Sequence, residues 1–137
     1  MQKRYFTLEE AQQIIPAVDP ILKRLVRLNQ TLSLLDTVEV ELEDEYQDLV
    51  SNTRMSKRFH KLSFDFYRLF EKILDMGIIV KDLNKGLIDF YSACDGREIF
   101  LCYEMDEKDI KYWHELFDGY EERKPVSLLK KRIKNDS

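Results

Sequence analysis

The segment from residue 21 to residue 76 contains neither glycine nor proline, although the chain has four glycines and three prolines. A β-rich segment of that length would need several turns, and these two residues are the strongest signals for turns. We therefore predict that the middle of the chain is helical. This prediction places the β-structure of the chain after residue 76.

Signals for helix boundaries precede this segment. Thr7 and Glu10 have the spacing of a capping box, which predicts that a helix begins at Leu8. Proline inside a helix removes a hydrogen bond, whereas proline in the first turn is well tolerated. Pro16 and Pro20 therefore predict a break or kink near residue 16, with a second and longer helix after it.

Two apolar stripes with alternating steps of three and four residues run along the predicted helices. Their members are Val18, Ile21, Leu25, Leu28, Leu32 and Leu35 in the first, and Met55, Phe59, Leu62, Phe66, Leu69 and Ile73 in the second. Such stripes predict an antiparallel, coiled-coil-like hairpin. The segment from Asp36 to Asp48 has seven acidic residues and no Lys or Arg, so we assign it to a solvated helix end and the hairpin tip.

Short runs rich in β-branched and aromatic residues come after Gly77. They are residues 78–82, 87–91 and 98–104, and turn sequences separate them at 84–86 and 94–96. This pattern predicts a three-stranded antiparallel meander. We predict a further short helix over residues 107–116, ending before Gly119.

The predicted fold class is α+β, with an antiparallel helical hairpin packed on a small three-stranded antiparallel sheet that carries a short C-terminal helix. The chain is predicted to form one domain over residues 1–137. Its parts are a helical region at 7–76, a sheet with a short helix at 77–125, and a basic tail at 126–137. Phe64, Tyr67 and Leu74 widen the apolar arc of the second helical stripe beyond what one partner covers, so this arc is predicted to lie on the sheet. The stripes and the arc together present more apolar surface than one short sheet can cover, which predicts a homodimer.

Composition excludes several classes of protein. No run approaches the roughly 18 apolar residues that a membrane span needs, and the first residues lack the pattern of a signal peptide. We therefore expect a cytoplasmic protein with reduced cysteines and no membrane association. A net charge of −4 argues against nucleic-acid binding. The basic positions Arg54, Lys57, Arg58 and Lys61 are explained as solvated charge opposite the acidic tract.

The last third of the chain carries a dense set of polar and aromatic residues. Its motifs are Gly86-Leu-Ile-Asp-Phe90, Asp95-Gly-Arg-Glu-Ile-Phe-Leu-Cys102 and Tyr112-Trp-His-Glu-Leu116, then Gly119-Tyr120 and Arg123-Lys-Pro125. Together with Tyr5-Phe-Thr-Leu-Glu-Glu-Ala11 and Pro16, they resemble an uncharacterised prokaryotic family labelled domain of unknown function 2203. Two departures are Tyr91, where the family usually has proline, and Tyr103-Glu-Met-Asp106, which replaces a more typical Trp-Arg-Leu-Gly. The resemblance supports the fold and implies no activity.

Three residues of this region have complementary chemistry. His114, next to Glu115, is either a metal ligand or general base, or a hydrogen-bonded structural histidine. Asp89 and Arg97 either form an ion pair, or Asp89 orients a ligand or holds a metal while Arg97 binds an anion. A cleft containing Asp89, Arg97 and His114 would favour a small anionic ligand, with a divalent metal as bridge.

The alternation of side chains along residues 98–104 separates a polar face from an apolar one. Cys102 falls on the face of Glu98, Phe100 and Glu104, and the opposite face makes the better core. Cys102 could act as a nucleophile beside His114 or as a zinc ligand, but the sequence lacks a CxxC motif, and a small apolar filler is the preferred interpretation.

Two hypotheses about function remain. The first, slightly preferred, is a binding or scaffold protein whose helical hairpin is the partner surface. The second is a metal- or anion-dependent enzyme or small-ligand binder. For the second, the candidate catalytic groups and metal ligands are His114, Glu115 and Asp89, and the candidate ligand-binding residues are Arg97, Asp89, Tyr112 and Arg123. The only cofactor implied is a divalent metal.

Overall fold

The computed structural model describes residues 3–43 and 49–129, and the side chains of residues 3–35 and 53–129. Two long helices precede an antiparallel sheet, which confirms the predicted α+β class. The elements are helices α1 (Leu8–Glu43) and α2 (Leu49–Asp75), strands β1 (Ile78–Asp82), β2 (Leu87–Cys94), β3 (Arg97–Glu104), β4 (Tyr112–Glu115) and β5 (Lys124–Pro125), and a 3-10 helix (Tyr120–Glu122). A short helix begins at residue 126. Over the described residues, neither long helix has an apolar stretch that could cross a bilayer.

The start of α1 is the predicted capping box. The Thr7 amide donates to Glu10 Oε1 at 3.0 Å, and the Glu10 amide donates to Thr7 Oγ1 at 3.1 Å. These reciprocal hydrogen bonds satisfy two amides that have no partner inside the helix. They fix the point at which the chain enters α1.

The predicted break near Pro16 is wrong, because α1 continues through both prolines. Pro16 and Pro20 are four residues apart and exposed, so the hydrogen bonds that they remove lie on one solvated side of the helix. On the opposite side, Val18, Leu22 and Leu25 are fully buried. Burial of this side holds the helix together despite the two missing donors.

The two long helices form the predicted hairpin. Leu69 and Ile73 of α2 are buried, whereas Met55 and Phe59, nearer the tip, are only half-buried. Residues 36–43 are helical, as predicted, and residues 44–48 of the acidic tract lie outside the described residues. The hairpin is thus anchored at its sheet end.

The five strands form one antiparallel sheet in the order β1-β2-β3-β4-β5. The first three strands lie where the sequence predicts them, except that β2 continues to Cys94 and β3 already begins at Arg97. Asp95 and Gly96 have φ values of 53° and 75°, as the tight turn between β2 and β3 requires. The predicted number of three strands is corrected to five.

The predicted helix over residues 107–116 is also wrong. Asp106 and Lys108 have φ values of 73° and 69°, in the left-handed region that a right-handed helix cannot include. Beyond them, Tyr112 and Trp113 begin β4, which pairs with β3. Aromatic residues favour strands, and this pairing satisfies backbone groups that would otherwise be left open at the edge of β3. The short helix of the predicted fold instead begins at residue 126.

The two faces of the sheet have different surroundings. The helices and the main core cover the face that carries Ile88, Phe90, Leu101, Tyr103 and Trp113, all of them buried. This is the apolar face that alternation along β3 predicts. The opposite face carries the polar residues of the same strands, and the candidate site lies on it.

Candidate metal centre

Asp89, Cys102 and His114 come from three neighbouring strands and lie on the face of the sheet away from the helices. Asp89 of β2 is paired with Cys102 of β3, and His114 of β4 is paired with Phe100, two residues before Cys102. Antiparallel pairing places such diagonal neighbours on one face within reach of each other. The register of β2, β3 and β4 therefore brings the three side chains together.

The donor atoms of these residues form a compact cluster. His114 Nε2 lies 3.3 Å from Asp89 Oδ1 and 3.2 Å from Asp89 Oδ2. One ligand atom each from Asp89, Cys102 and His114 lies within 4.8 Å of the other two. The three residues are 1%, 3% and 3% exposed, respectively. Among the described residues, this is the group of His, Cys, Asp and Glu side chains that could hold a metal ion.

Aromatic rings and one arginine surround the cluster. The ring of Phe100 lies 5.3 Å from the His114 ring, and the Tyr91 ring lies 4.9 Å from Phe100. Arg123 Nη1 approaches Cys102 Sγ at 4.0 Å, and the Arg123 guanidinium lies over the Tyr112 ring. The cluster is thus enclosed on a face that the helices do not cover.

Hydrogen bonding orients the imidazole of His114. Its Nδ1 lies 2.9 Å from the carbonyl oxygen of Glu115, which can only accept, so Nδ1 carries a proton and donates it. Nε2 is consequently the nitrogen that faces Asp89. Burial lowers the pKa of His114, but the hydrogen bonds to Asp89 and to Glu115 outweigh burial, so this pKa lies above its ordinary value.

The thiol of Cys102 remains protonated when no metal is bound. Burial and the neighbouring charge of Asp89 raise its pKa to about 12, although Arg123 acts in the opposite direction. A thiol with such a pKa is a weak nucleophile near neutral pH, because the thiolate is the reactive form. A bound metal ion would instead deprotonate the thiol directly.

The structure brings together two members of the predicted trio and separates the third. Asp89 and His114 are in contact, whereas Arg97 pairs with Glu115 at 3.0 Å, and both side chains of that pair are substantially exposed. Arg97 lies at the turn end of β3, five residues before Cys102, so the strand carries it away from the cluster. The side chain of Glu115 is likewise directed to Arg97. The contact of Glu115 with the His114 ring is made by the backbone carbonyl oxygen of Glu115.

Two further predicted residues border the cluster, and a third residue, Cys102, belongs to it. Tyr112 and Arg123, both candidate ligand-binding residues, are stacked beside Cys102. The sequence favours Cys102 as a small apolar filler, and in the structure its Sγ also lies within 4.8 Å of ligand atoms of Asp89 and His114. The alternation of β3 already places it on the polar face, and the missing information was its pairing with Asp89.

One known protein family matches most of the chain. The model of the family described as "Uncharacterized conserved protein (DUF2203)" matches residues 4–126. This match confirms the resemblance seen in the motifs of the sequence. No curated protein and no solved structure matches the chain significantly.

Proposed function

The chain belongs to the DUF2203 family, and we propose that it binds a divalent transition-metal ion of the Zn²⁺ class through Asp89, Cys102 and His114. The observation that carries the proposal is the convergence of three different buried donor atoms within 4.8 Å. Buried polar groups that converge in this way need a common partner or mutual hydrogen bonds. A metal ion satisfies all three at once.

The donor set selects the kind of ion. Nitrogen, sulfur and oxygen ligands together suit Zn²⁺, whereas Mg²⁺ and Ca²⁺ prefer oxygen alone. From the usual Zn–ligand bond lengths, donor atoms around a tetrahedral ion lie about 3.3–3.8 Å apart. The contacts of His114 Nε2 with Asp89 at 3.2 and 3.3 Å are close to that spacing. Small side-chain movements would bring Cys102 Sγ to the same distance.

The outer contacts of His114 support the same proposal. Metal-binding histidines almost always donate their second ring N–H to a carboxylate, carbonyl or water. The Nδ1–H of His114 donates to the Glu115 carbonyl, which leaves Nε2 directed at Asp89 and available to an ion. The predicted cytoplasmic location would keep the Cys102 thiol reduced, as a thiolate ligand requires.

Three protein ligands leave a fourth position on the ion. Structural zinc sites use four protein ligands, whereas catalytic sites use three and keep one position for water or substrate. An ion held by Asp89, Cys102 and His114 would therefore have one position left for a further ligand. This is the metal-dependent hypothesis drawn from the sequence, with Cys102 rather than Glu115 as the third candidate metal ligand.

Cobalt binding tests the proposal, because Co²⁺ replaces Zn²⁺ and is visible in absorption spectra. Metal-free, reduced protein titrated with Co²⁺ should bind one equivalent and show the charge-transfer band of a thiolate ligand. Cys102→Ala should abolish that band, whereas Cys94→Ala, which removes the other cysteine, should retain it. Asp89→Asn should weaken Zn²⁺ binding by more than about 100-fold, since loss of even an outer-shell partner costs about 10–100-fold.

Two results would overturn the metal centre. One is a wild-type protein that gives no thiolate band with Co²⁺. The other is a band that survives in Cys102→Ala. His114→Ala should lose metal affinity while its far-ultraviolet circular dichroism remains helical, which separates loss of the ligand from loss of the fold.

A second candidate function is self-association through α2, and a separate observation supports it. Phe64 and Tyr67, three residues apart on α2, are 68% and 65% exposed. We propose that a second copy of the chain covers this face. An isologous pair would set Phe64 and Tyr67 of one copy against the same two residues of the other.

Sedimentation equilibrium at micromolar concentration tests self-association. The wild-type protein should have about twice the chain mass of 16.5 kDa, and the double variant Phe64→Ser, Tyr67→Ser should return to the mass of one chain. Phe117→Ser is the matched control, because Phe117 is 99% exposed but lies outside α2. A wild-type mass near 16.5 kDa, or an equal effect of Phe117→Ser, would contradict the proposal.

A further inference from the structure

Arg123 is held at the edge of the metal centre by contacts that fix its guanidinium. Its Nε–H donates to the Tyr120 carbonyl at 3.0 Å. The guanidinium carbon lies 4.3 Å from the centre of the Tyr112 ring and 3.8 Å from the centre of the Tyr120 ring. Nη1 is directed at Cys102 Sγ, 4.0 Å away. Two aromatic contacts and one hydrogen bond therefore hold the charged group in place.

No ion pair neutralises Arg123 among the residues whose side chains are described. Arg97, by contrast, is paired with Glu115, and Lys23 is paired with Asp19 and Asp106. Glu107 lies close enough for Arg123 to lower its pKa, but burial and a hydrogen bond to Glu104 have the larger, opposite effect, and no salt bridge forms. Most N–H donors of the Arg123 guanidinium therefore remain available, beside a cluster that can hold an ion.

The charges of the metal centre indicate which ligand would complete it. A divalent ion, the carboxylate of Asp89 and the thiolate of Cys102 sum to zero, because metal-bound His114 is neutral. Arg123 then adds one positive charge beside the centre that no salt bridge among the described side chains neutralises, because Glu107 is hydrogen-bonded to Glu104 instead. A buried or half-buried charge of this kind is costly unless it is paired. One negative charge, placed between the ion and Arg123, would pair it.

We propose that the fourth position of the ion binds a small oxyanion, either a carboxylate or a phosphoryl group. This proposal rests on the metal centre proposed above. One oxygen of the ligand coordinates the ion, and another accepts hydrogen bonds from Arg123. The planar guanidinium presents parallel N–H groups that match both kinds of oxyanion. Its stacking on Tyr112 and Tyr120 means that little side-chain entropy is lost when the ligand binds.

The test uses the Co²⁺-loaded full-length protein, with acetate as the first probe and methyl phosphate as the second, in chloride-free HEPES buffer. Either anion should shift the visible spectrum of the bound Co²⁺ in a saturable way. Arg123→Gln should weaken anion binding by about tenfold or more, as expected for the loss of a charge-assisted hydrogen bond, and should change Co²⁺ affinity by less than about threefold. Arg97→Gln is the matched control, because Arg97 is an arginine on the same sheet that points elsewhere, and it should leave both affinities unchanged.

The outcomes separate the two proposals. If Co²⁺ gives no thiolate band, the metal centre fails and the oxyanion site fails with it. If Co²⁺ binds through Cys102 but neither anion changes its spectrum, the metal centre stands and the oxyanion site is overturned. Equal effects of Arg123→Gln and Arg97→Gln would also overturn it, because a general loss of positive charge would then explain the result. A shift with one anion alone supports the site and identifies the preferred class of oxyanion.

Discussion

The imidazole of His114 lies between two acceptors, the carbonyl oxygen of Glu115 and the carboxylate of Asp89. With both ring nitrogens facing acceptors, the metal-free ring is stabilised in its doubly protonated form. A bound ion would take the place of the proton on Nε2. Protons and metal ions therefore compete for one atom, so folding stability and metal affinity should respond to pH in opposite directions.

We expect the free energy of unfolding of the metal-free protein to fall as pH rises above about 6.5. The pKa of His114 is higher in the folded state, so its stabilising effect is complete below the unfolded pKa of about 6.5 and is lost as pH rises through the folded value. Cys102, with a pKa of about 12, does not titrate in this range. Urea unfolding at several pH values measures how the free energy of unfolding changes with pH.

His114→Gln is the control for this pH dependence, because glutamine keeps a polar side chain but does not titrate. The free energy of unfolding of the variant should change less with pH than that of the wild-type protein. One equivalent of Zn²⁺ should reverse the wild-type slope, since ligand deprotonation favours the bound state at higher pH. Parallel profiles for wild-type and variant proteins would show that His114 is not the group responsible.

Among the larger elements, α1 and β3 are joined by a partly buried hydrogen bond. Tyr103, 1% exposed, donates from its hydroxyl to Asp19 Oδ1 at 2.6 Å. Burial raises the pKa of Asp19, but the hydrogen bonds from Tyr103, Lys23 and the Asp106 amide outweigh it, and the net pKa lies below the ordinary value. The charged carboxylate is thus the form that holds the helix against the sheet.

Tyr103→Phe should destabilise the protein by about 1.5–3 kcal/mol, the usual range for a hydrogen bond to a charged group. The phenyl ring would still fill the core, so the loss would report the hydroxyl rather than a cavity. Urea unfolding measures the effect. Tyr67→Phe removes a hydroxyl from an exposed tyrosine on α2 and should be almost neutral, so equal losses in the two variants would contradict this assignment.

Sequence patterns predicted the elements whose signals are local. The capping box at Thr7 and the tight turn at Asp95 and Gly96 depend on residues within a few positions of each other. The path of α1 through Pro16 and the strand at Trp113 depend on tertiary contacts, with the core in one case and with β3 in the other. Local propensity cannot show such contacts, which explains both errors.

The candidate site was partly predictable for the same reason. Asp89 and His114 were grouped by their chemistry, and the alternation of β3 placed Cys102 on the polar face. Pairing between strands, which sequence alone does not specify, decides that Cys102 joins them and that Arg97 does not. Arg123 reaches the site from beyond β4, through contacts with aromatic rings rather than through any short motif.

Across the whole molecule, burial of α2 falls with distance from the sheet. Leu69 and Ile73 are buried, whereas no side chain between residues 53 and 68 is classed as buried. Regions with few buried contacts open at lower free energy than the global unfolding of the protein. The sheet end of the hairpin should therefore be its most stable part.

Native-state hydrogen exchange should show this gradient. We expect amides of residues 53–66 to exchange through openings of lower free energy than amides of residues 69–75. The monomeric variant predicted above, Phe64→Ser with Tyr67→Ser, should be used, because a second copy would protect the same face. Uniform protection along α2 in that variant would contradict the gradient.

The contacts inside the donor cluster join nearby segments of the chain, whereas the contacts between α1 and the sheet join distant ones. His114 and Asp89 are 25 residues apart, whereas Tyr103 and Asp19 are 84 apart. Contacts between nearby segments require little loop-closure entropy and tend to form early in folding, and distant contacts form late. The donor cluster can therefore assemble within the meander before α1 docks. Folding kinetics should then have two stages, with the donor cluster organised first and α1 docking on the opposite face of the sheet afterwards.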